Sequence, residues 1–89
     1  MLIRSQNKQR IFNMDTITHI KADEDNDICV YFQEQFYIMG NYSTKEKALK
    51  VLDMIEARAN EPIYINDIGG NEYAKYYQPS FQMPQDDEV

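Results

Sequence analysis

The side chains best suited to chemistry are carboxylates gathered in one short run. Asp23, Glu24, Asp25, Asp27 and Glu34 fall within residues 23–34, a stretch with no basic side chain. Asp23, Asp25 and Asp27 take the first, third and fifth places of a Ca²⁺ loop, and Glu34 the twelfth, where a hard cation needs oxygen donors. Ile28 stands at the sixth place, where the sharp turn of such a loop calls for Gly, and both flanks read as strands instead of helices. The run therefore reads as a solvated hairpin turn, and no metal site is assigned. His19 and Cys29 are the sole histidine and cysteine. A Cys–His nucleophile needs the two in contact and the thiol activated. Cys29 lies between Ile28 and Val30 in a strand-like run, where a thiol behaves as a small hydrophobe. No catalytic residue is assigned.

Other features resolve into ordinary structure. Gly69-Gly70 lacks the Lys-Ser/Thr of a phosphate loop and does not join a strand to a helix, so it reads as a turn and implies no cofactor. Lys45, Lys47 and Lys50 read as a solvated helix face. Of the 7 tyrosines, Tyr64, Tyr73, Tyr76 and Tyr77 cluster in 64–77. Tyr is a common interface residue, offering apolar area and a hydroxyl, so these four join Tyr31 and Tyr37 as candidate partner-binding residues.

Eighty-nine residues suffice for a single modest core. The formal charge is −6 and 43% of residues are hydrophobic, which is not a disordered composition. Residues 1–22 carry four basic and one acidic side chain, whereas 62–89 carry one basic and five acidic. Such a balance disfavours direct nucleic-acid binding, because phosphate contacts need Lys and Arg on one face. One cysteine excludes an intrachain disulfide framework. No stretch approaches the ~20 apolar residues of a membrane span, and the start at Met1 lacks the apolar core of a signal peptide. The expectation is a cytoplasmic protein without a membrane partner.

The elements that position these residues follow from periodicity. Ala48, Val51, Leu52, Ile55 and Ala59 recur on one helical face, predicting an amphipathic helix over about 44–60. Ser43 with Glu46 fits a capping box at its start, and Pro62 ends it near Asn60. Residues 2–5 and 9–13 read as a short antiparallel pair, and 15–22 as a strand. Ile28–Phe32 is the strongest strand, and Gln33-Glu34-Gln35 turns it into a returning strand at Phe36–Met39. Ile28, Val30 and Phe32 are expected to face the helix, leaving Tyr31 and Tyr37 on an open face. After Pro62, 63–65 reads as a strand, while 73–77 fits either a strand or a helical turn.

The fold expected is α+β: an antiparallel meander of about four to five short strands with one helix packed on one face and an irregular C-terminal extension. Residues 1–80 read as a single domain and 81–89 as an acidic tail, in which Phe81 and Met83 are expected to dock two apolar side chains ahead of a mobile end at 85–89.

The opening Met1-Leu2-Ile3-Arg4-Ser5-Gln6, the stretch from Gly40 to Ile55 and the end Phe81-Gln82-Met83-Pro84-Gln85-Asp86 resemble a family of small uncharacterised proteins from bacterial and phage-like mobile elements. The likeness spans a third to a half of the chain and makes the 60–80 region an insertion. It implies a genomic neighbourhood and carries no reaction, ligand or residue role. Three functional expectations result. The first is a non-enzymatic accessory protein that binds a protein partner or a second copy of itself. The second is an acidic inhibitor of a host nucleic-acid-binding defence protein, presenting Asp23, Glu24, Asp25, Asp27 and Glu34, with Asp86, Asp87 and Glu88, in place of phosphates. The third, an enzyme using Cys29 and His19, has the least support.

Overall fold

The structure is a computed structural model that describes residues 1–60 and 80–89, together with the backbone of 64–66 and 72–74. The strands are β1 (Leu2–Arg4), β2 (Ile11–Asn13), β3 (His19–Ala22), β4 (Asp27–Phe32), β5 (Gln35–Asn41), β6 (Tyr64–Asn66), β7 (Glu72–Ala74) and β8 (Ser80–Gln82). Among the described residues one α-helix, α1, spans Lys45–Ala59. The fold is α+β with that helix packed on β3 and β4, as the periodicity predicts.

The strands divide into two three-stranded sheets and a hairpin. One sheet is the expected meander, β3-β4-β5, fully antiparallel. The other has the order β2-β1-β8. In it β1 pairs antiparallel with β2 and parallel with β8, matching Ile3 with Phe12 on one side and Phe81 on the other. β6 and β7 pair with each other. The remainder of 61–79, including Tyr76 and Tyr77, lies outside the described residues.

Local chemistry explains the turns. In the β1–β2 connection the buried Ser5 hydroxyl donates to Asn7 (2.7 Å) and accepts from the Arg10 amide (3.1 Å). Lys8 takes the left-handed backbone that such a tight turn needs, with φ 66°. The strand expected over 15–22 forms only in its second half. Asn13 caps a short 3₁₀ turn, Met14–Thr16, its side chain accepting from the Asp15 amide at 3.0 Å. That side-chain bond offers the backbone an alternative to the ladder.

The helix starts one residue later than the Ser43/Glu46 box implies. Thr44 is the N-cap, its hydroxyl accepting from the Lys47 amide at 3.2 Å. The Ser43 amide instead donates to the Asp86 carboxylate at 2.8 Å. Thr44 and Ser43 both have a capping hydroxyl, and the distant carboxylate decides between them. Asn60 closes the other end, where Pro62 places it.

The core joins both sheets to the helix. Ile3, Phe12, Ile28, Val30, Met39, Tyr42, Ala48, Val51, Ile55 and Met83 form one buried cluster. Between Ile28/Gly40 and Cys29/Ile38 the β4–β5 register slips, leaving Met39 as the extra residue of a bulge. Met39 points inward and is 1% exposed. Next to it, a Cβ on Gly40 would crowd the Tyr42 ring at 3.2 Å and the Gln6 side chain at 3.3 Å, so glycine lets the chain pack closely there.

Met83 docks as expected, and residues 85–89, expected to be mobile, are also held in place. Met83 is 0% exposed, and its amide donates to the Arg4 carbonyl at 3.0 Å. The buried Tyr42 hydroxyl donates to the Pro84 carbonyl (2.8 Å), and the Lys47 ammonium bonds Asp86 through its carbonyl (2.8 Å) and carboxylate (3.3 Å). Gln6 ties this end to β5, accepting from the Asn41 amide at 2.8 Å while its carbonyl accepts from the Gln85 side chain at 2.7 Å.

Candidate functional site

The β3-β4-β5 sheet has two unlike faces. Ile20, Val30 and Tyr37 are matched in register and share the face covered by α1, with Ala22, Ile28 and Phe32. His19, Tyr31 and Phe36 are matched on the other face, as are Lys21, Cys29 and Ile38. Tyr37 therefore does not lie beside Tyr31, and this corrects the expected open face. A three-residue turn would have paired Tyr31 with Tyr37. The actual turn has two residues, Gln33 and Glu34, with Gln33 at φ 49°, and pairs Tyr31 with Phe36. A one-residue change of register moves a side chain to the opposite face. Tyr37 instead packs against Phe12 and Phe32, with ring centroids 5.8 and 6.0 Å away, and beneath the Arg10 guanidinium at 5.1 Å.

The open face carries an aromatic ladder across three strands. The His19 and Tyr31 rings lie 4.2 Å apart and 12° from parallel, and Tyr31 and Phe36 lie 5.5 Å apart at 26°. Phe36 is 57% exposed and the neighbouring Ile38 is 53% exposed. Neither was singled out from sequence, although the alternation of Phe36, Tyr37 and Ile38 puts the outer two on one face.

The acidic turn joins β3 to β4 at one end of this face. A cleft there is bounded by Tyr31 and Phe36 on the sheet, by Asp23, Glu24 and Asp25 on the turn, and by Lys21 and Lys45. Asp23, Asp25 and Asp27 each bring a carboxylate oxygen within 4.8 Å of the others. Most of that oxygen closes the turn. One Asp23 oxygen accepts from the Asp25 (2.9 Å) and Asp27 (3.0 Å) amides, and the other from the Cys29 thiol (3.6 Å). Asp27 accepts from the Asn41 amide group at 2.6 Å. Lys45 donates to the Asp23 carbonyl at 2.6 Å, fastening the helix start to the turn. Glu34 sits at the opposite end of β4, beside Thr16 and Gln35, so it does not complete a ligand set with the aspartates. At ~3.3 Å per residue, β4 separates them by roughly 17–20 Å.

Cys29 and His19 share the open face without meeting in register. Lys21 stands opposite Cys29, whereas His19 stands opposite Tyr31. Burial first, then the charge and hydrogen bond of Asp23, push the Cys29 thiol up to about 11, so it stays protonated at neutral pH. Tyr64 and Tyr73 lie on β6 and β7, and their side chains are outside the described residues.

These environments make stability pH-dependent at both ends. The Asp27 amide, followed by the Asp25 amide, holds Asp23 below the usual carboxylate range, and the Ser43 amide does the same for Asp86. A depressed folded pKa contributes stability above the unfolded value, lost as pH falls through the folded one. Cys29 and Tyr42 are raised chiefly by burial, to about 11 and about 12. Their contribution is present below the unfolded values and lost as pH rises through the folded ones. The stability profile is thus expected to be flat between about pH 5 and 9 and to fall outside it. Chemical denaturation across pH checks this. An acid limb of unchanged steepness in an Asp23→Asn, Asp86→Asn variant would contradict the assignment.

Comparison of the chain with known protein families, with curated proteins and with solved structures finds no match. No helix among the described residues is long and apolar enough to cross a membrane.

Proposed function

We propose that this chain is a non-enzymatic, cytoplasmic interaction protein, an accessory of a mobile element, whose working surface is the open face of β3-β4-β5. The observation that carries the reading is the exposure of Phe36 and Ile38 beside the Tyr31 ladder. Large apolar side chains grouped on one face and rimmed by charge mark protein-binding surfaces. Burial of the Cys29 thiol, which is pushed up to about 11, weighs against the reading that uses Cys29 and His19 as a nucleophile pair.

The test replaces Phe36 and Ile38 by Asp together. Both side chains are exposed, so the melting temperature is expected to stay within a few degrees of wild type. The association made by the wild-type chain should be lost. It is read as solution mass at micromolar concentration for self-association, and as host proteins retained on the immobilised chain for a heterologous partner. Association unchanged in both measurements overturns the reading.

A second reading keeps the acidic turn as an imitation of nucleic acid. The clustered Asp23, Asp25 and Asp27 carboxylates support it. Asp86 adds nothing to it, being engaged by Ser43 and Lys47. This reading requires partner binding that weakens with salt and competes with DNA or RNA.

A further inference from the structure

We infer that the occupant of the open face is a cationic protein segment whose arginine stacks on the Tyr31–Phe36 ladder and pairs with Glu24 and Asp25. The inference rests on the interaction reading above and names the chemistry of its partner.

Charge decides the occupant. The cleft beside the ladder holds three carboxylates, Asp23, Glu24 and Asp25, against two ammonium groups, Lys21 and Lys45. Asp23 is consumed by the Asp25 and Asp27 amides and the Cys29 thiol, and Lys45 by the Asp23 carbonyl. Glu24 and Asp25 are exposed, and among the described residues no hydrogen bond or ion pair engages either carboxylate. Both ammonium groups keep their charge, so three carboxylates against two leave the cleft net negative by one, with Glu24 and Asp25 at the rim and the aromatic rings on the floor. A second copy of the chain carries the same −6 charge and is repelled. Nucleic acid is repelled by the same carboxylates.

Geometry selects arginine over lysine. The rings of the ladder lie within 12° and 26° of parallel, and exposed Phe36 lines with Tyr31 the same cleft as Glu24 and Asp25, so ring surface and carboxylates border one space. A guanidinium is planar, sheds water more easily than an ammonium, and can stack on a ring while its edge bonds a carboxylate. The same sheet already holds one such contact on its other face, where Arg10 lies 5.1 Å from the centre of the Tyr37 ring.

The test uses the full chain and two labelled peptides of alternating Arg-Ser and Lys-Ser, compared by fluorescence anisotropy at low salt. The Arg peptide is expected to bind about three- to tenfold more tightly than the Lys peptide. Phe36→Ala should remove that preference. Glu24→Gln with Asp25→Asn should weaken the Arg peptide about tenfold, whereas Asp53→Asn with Glu56→Gln, the same charge removed from the exposed face of α1, should weaken it less than twofold. Each variant is checked for an unchanged melting temperature. Equal binding of the two peptides, or equal effects of the two charge-removal pairs, overturns the inference. If the Arg peptide fails to bind while Phe36→Asp with Ile38→Asp still abolishes the native association, the cationic occupant is wrong and the interaction reading stands. If both fail, both readings fall.

Discussion

Met83→Ala is expected to destabilise the protein by about 2–5 kcal/mol, a large share of what a domain of this size holds in reserve. Met83 is 0% exposed and belongs to the cluster that joins both sheets to the helix. Truncating it removes transfer free energy and leaves a cavity that rigid neighbours only partly fill. The residue also sits at the start of a chain of attachments. Its amide bonds Arg4, the next carbonyl accepts from buried Tyr42, and Asp86 caps the amide of Ser43 just ahead of α1. Deleting 80–89 removes the β8 partner of β1 as well, so the shortened chain is expected to lose its cooperative unfolding transition. Urea denaturation followed by circular dichroism checks both. A loss below about 1 kcal/mol for Met83→Ala would mean that the C-terminal residues contribute surface and not core.

The second large effect concerns the phase of α1. Ile55→Ala is expected to cost about 2–5 kcal/mol, and Leu52→Ala measurably less. Both fall on the apolar stripe read from periodicity, but the structure ranks them. Ile55 is 4% exposed and lies in the core with Ala48 and Val51. Leu52 is only partly buried, at the margin of an open hollow that Ile55 also borders, with Ile17, Ile20 and Glu56. Atoms that keep contact with water when folded have less transfer free energy to lose. A larger loss at Leu52 than at Ile55 would show the helix rotated from its assigned orientation.

Much of this architecture was legible in the chain. The helix announced itself because its apolar positions repeat at the helical period and Pro62 forbids continuation. The β4–β5 hairpin was legible from the density of β-branched and aromatic residues in Ile28–Phe32. Both signals are local, and local propensity agrees there with the final packing. The face assignment failed where one residue of turn length mattered. Gln33-Glu34-Gln35 contains no Gly or Asn to announce a tight turn, and the residue in the left-handed backbone is Gln33. The cap failed for a related reason. Ser43 and Thr44 are equivalent by chemistry, and Asp86, 43 residues away, settles which one caps.

The candidate surface divides the same way. Tyr31 and the acidic residues Asp23, Glu24 and Asp25 were visible as exposed-type side chains near a turn, and the structure gathers them around one cleft. Glu34 looked equivalent by sequence distance, yet a strand runs between, and an extended chain carries its ends apart. Phe36 and Ile38 carried no motif, because an exposed apolar residue reads in a sequence like a buried one.

Residue types and near-neighbour spacing fix the α+β class, the helix α1 and its apolar stripe, the β4–β5 hairpin and the acidic balance. Packing between distant segments sets the parallel pairing of β1 with β8 and makes residues 80–89 a core and capping element. The tertiary structure alone sets the register that stacks His19, Tyr31 and Phe36 on one face. The reason is physical. Long-range pairing and register are chosen by the joint burial of Ile3, Tyr42 and Met83 and by one-residue turn geometry, and neither leaves a periodic trace in the sequence.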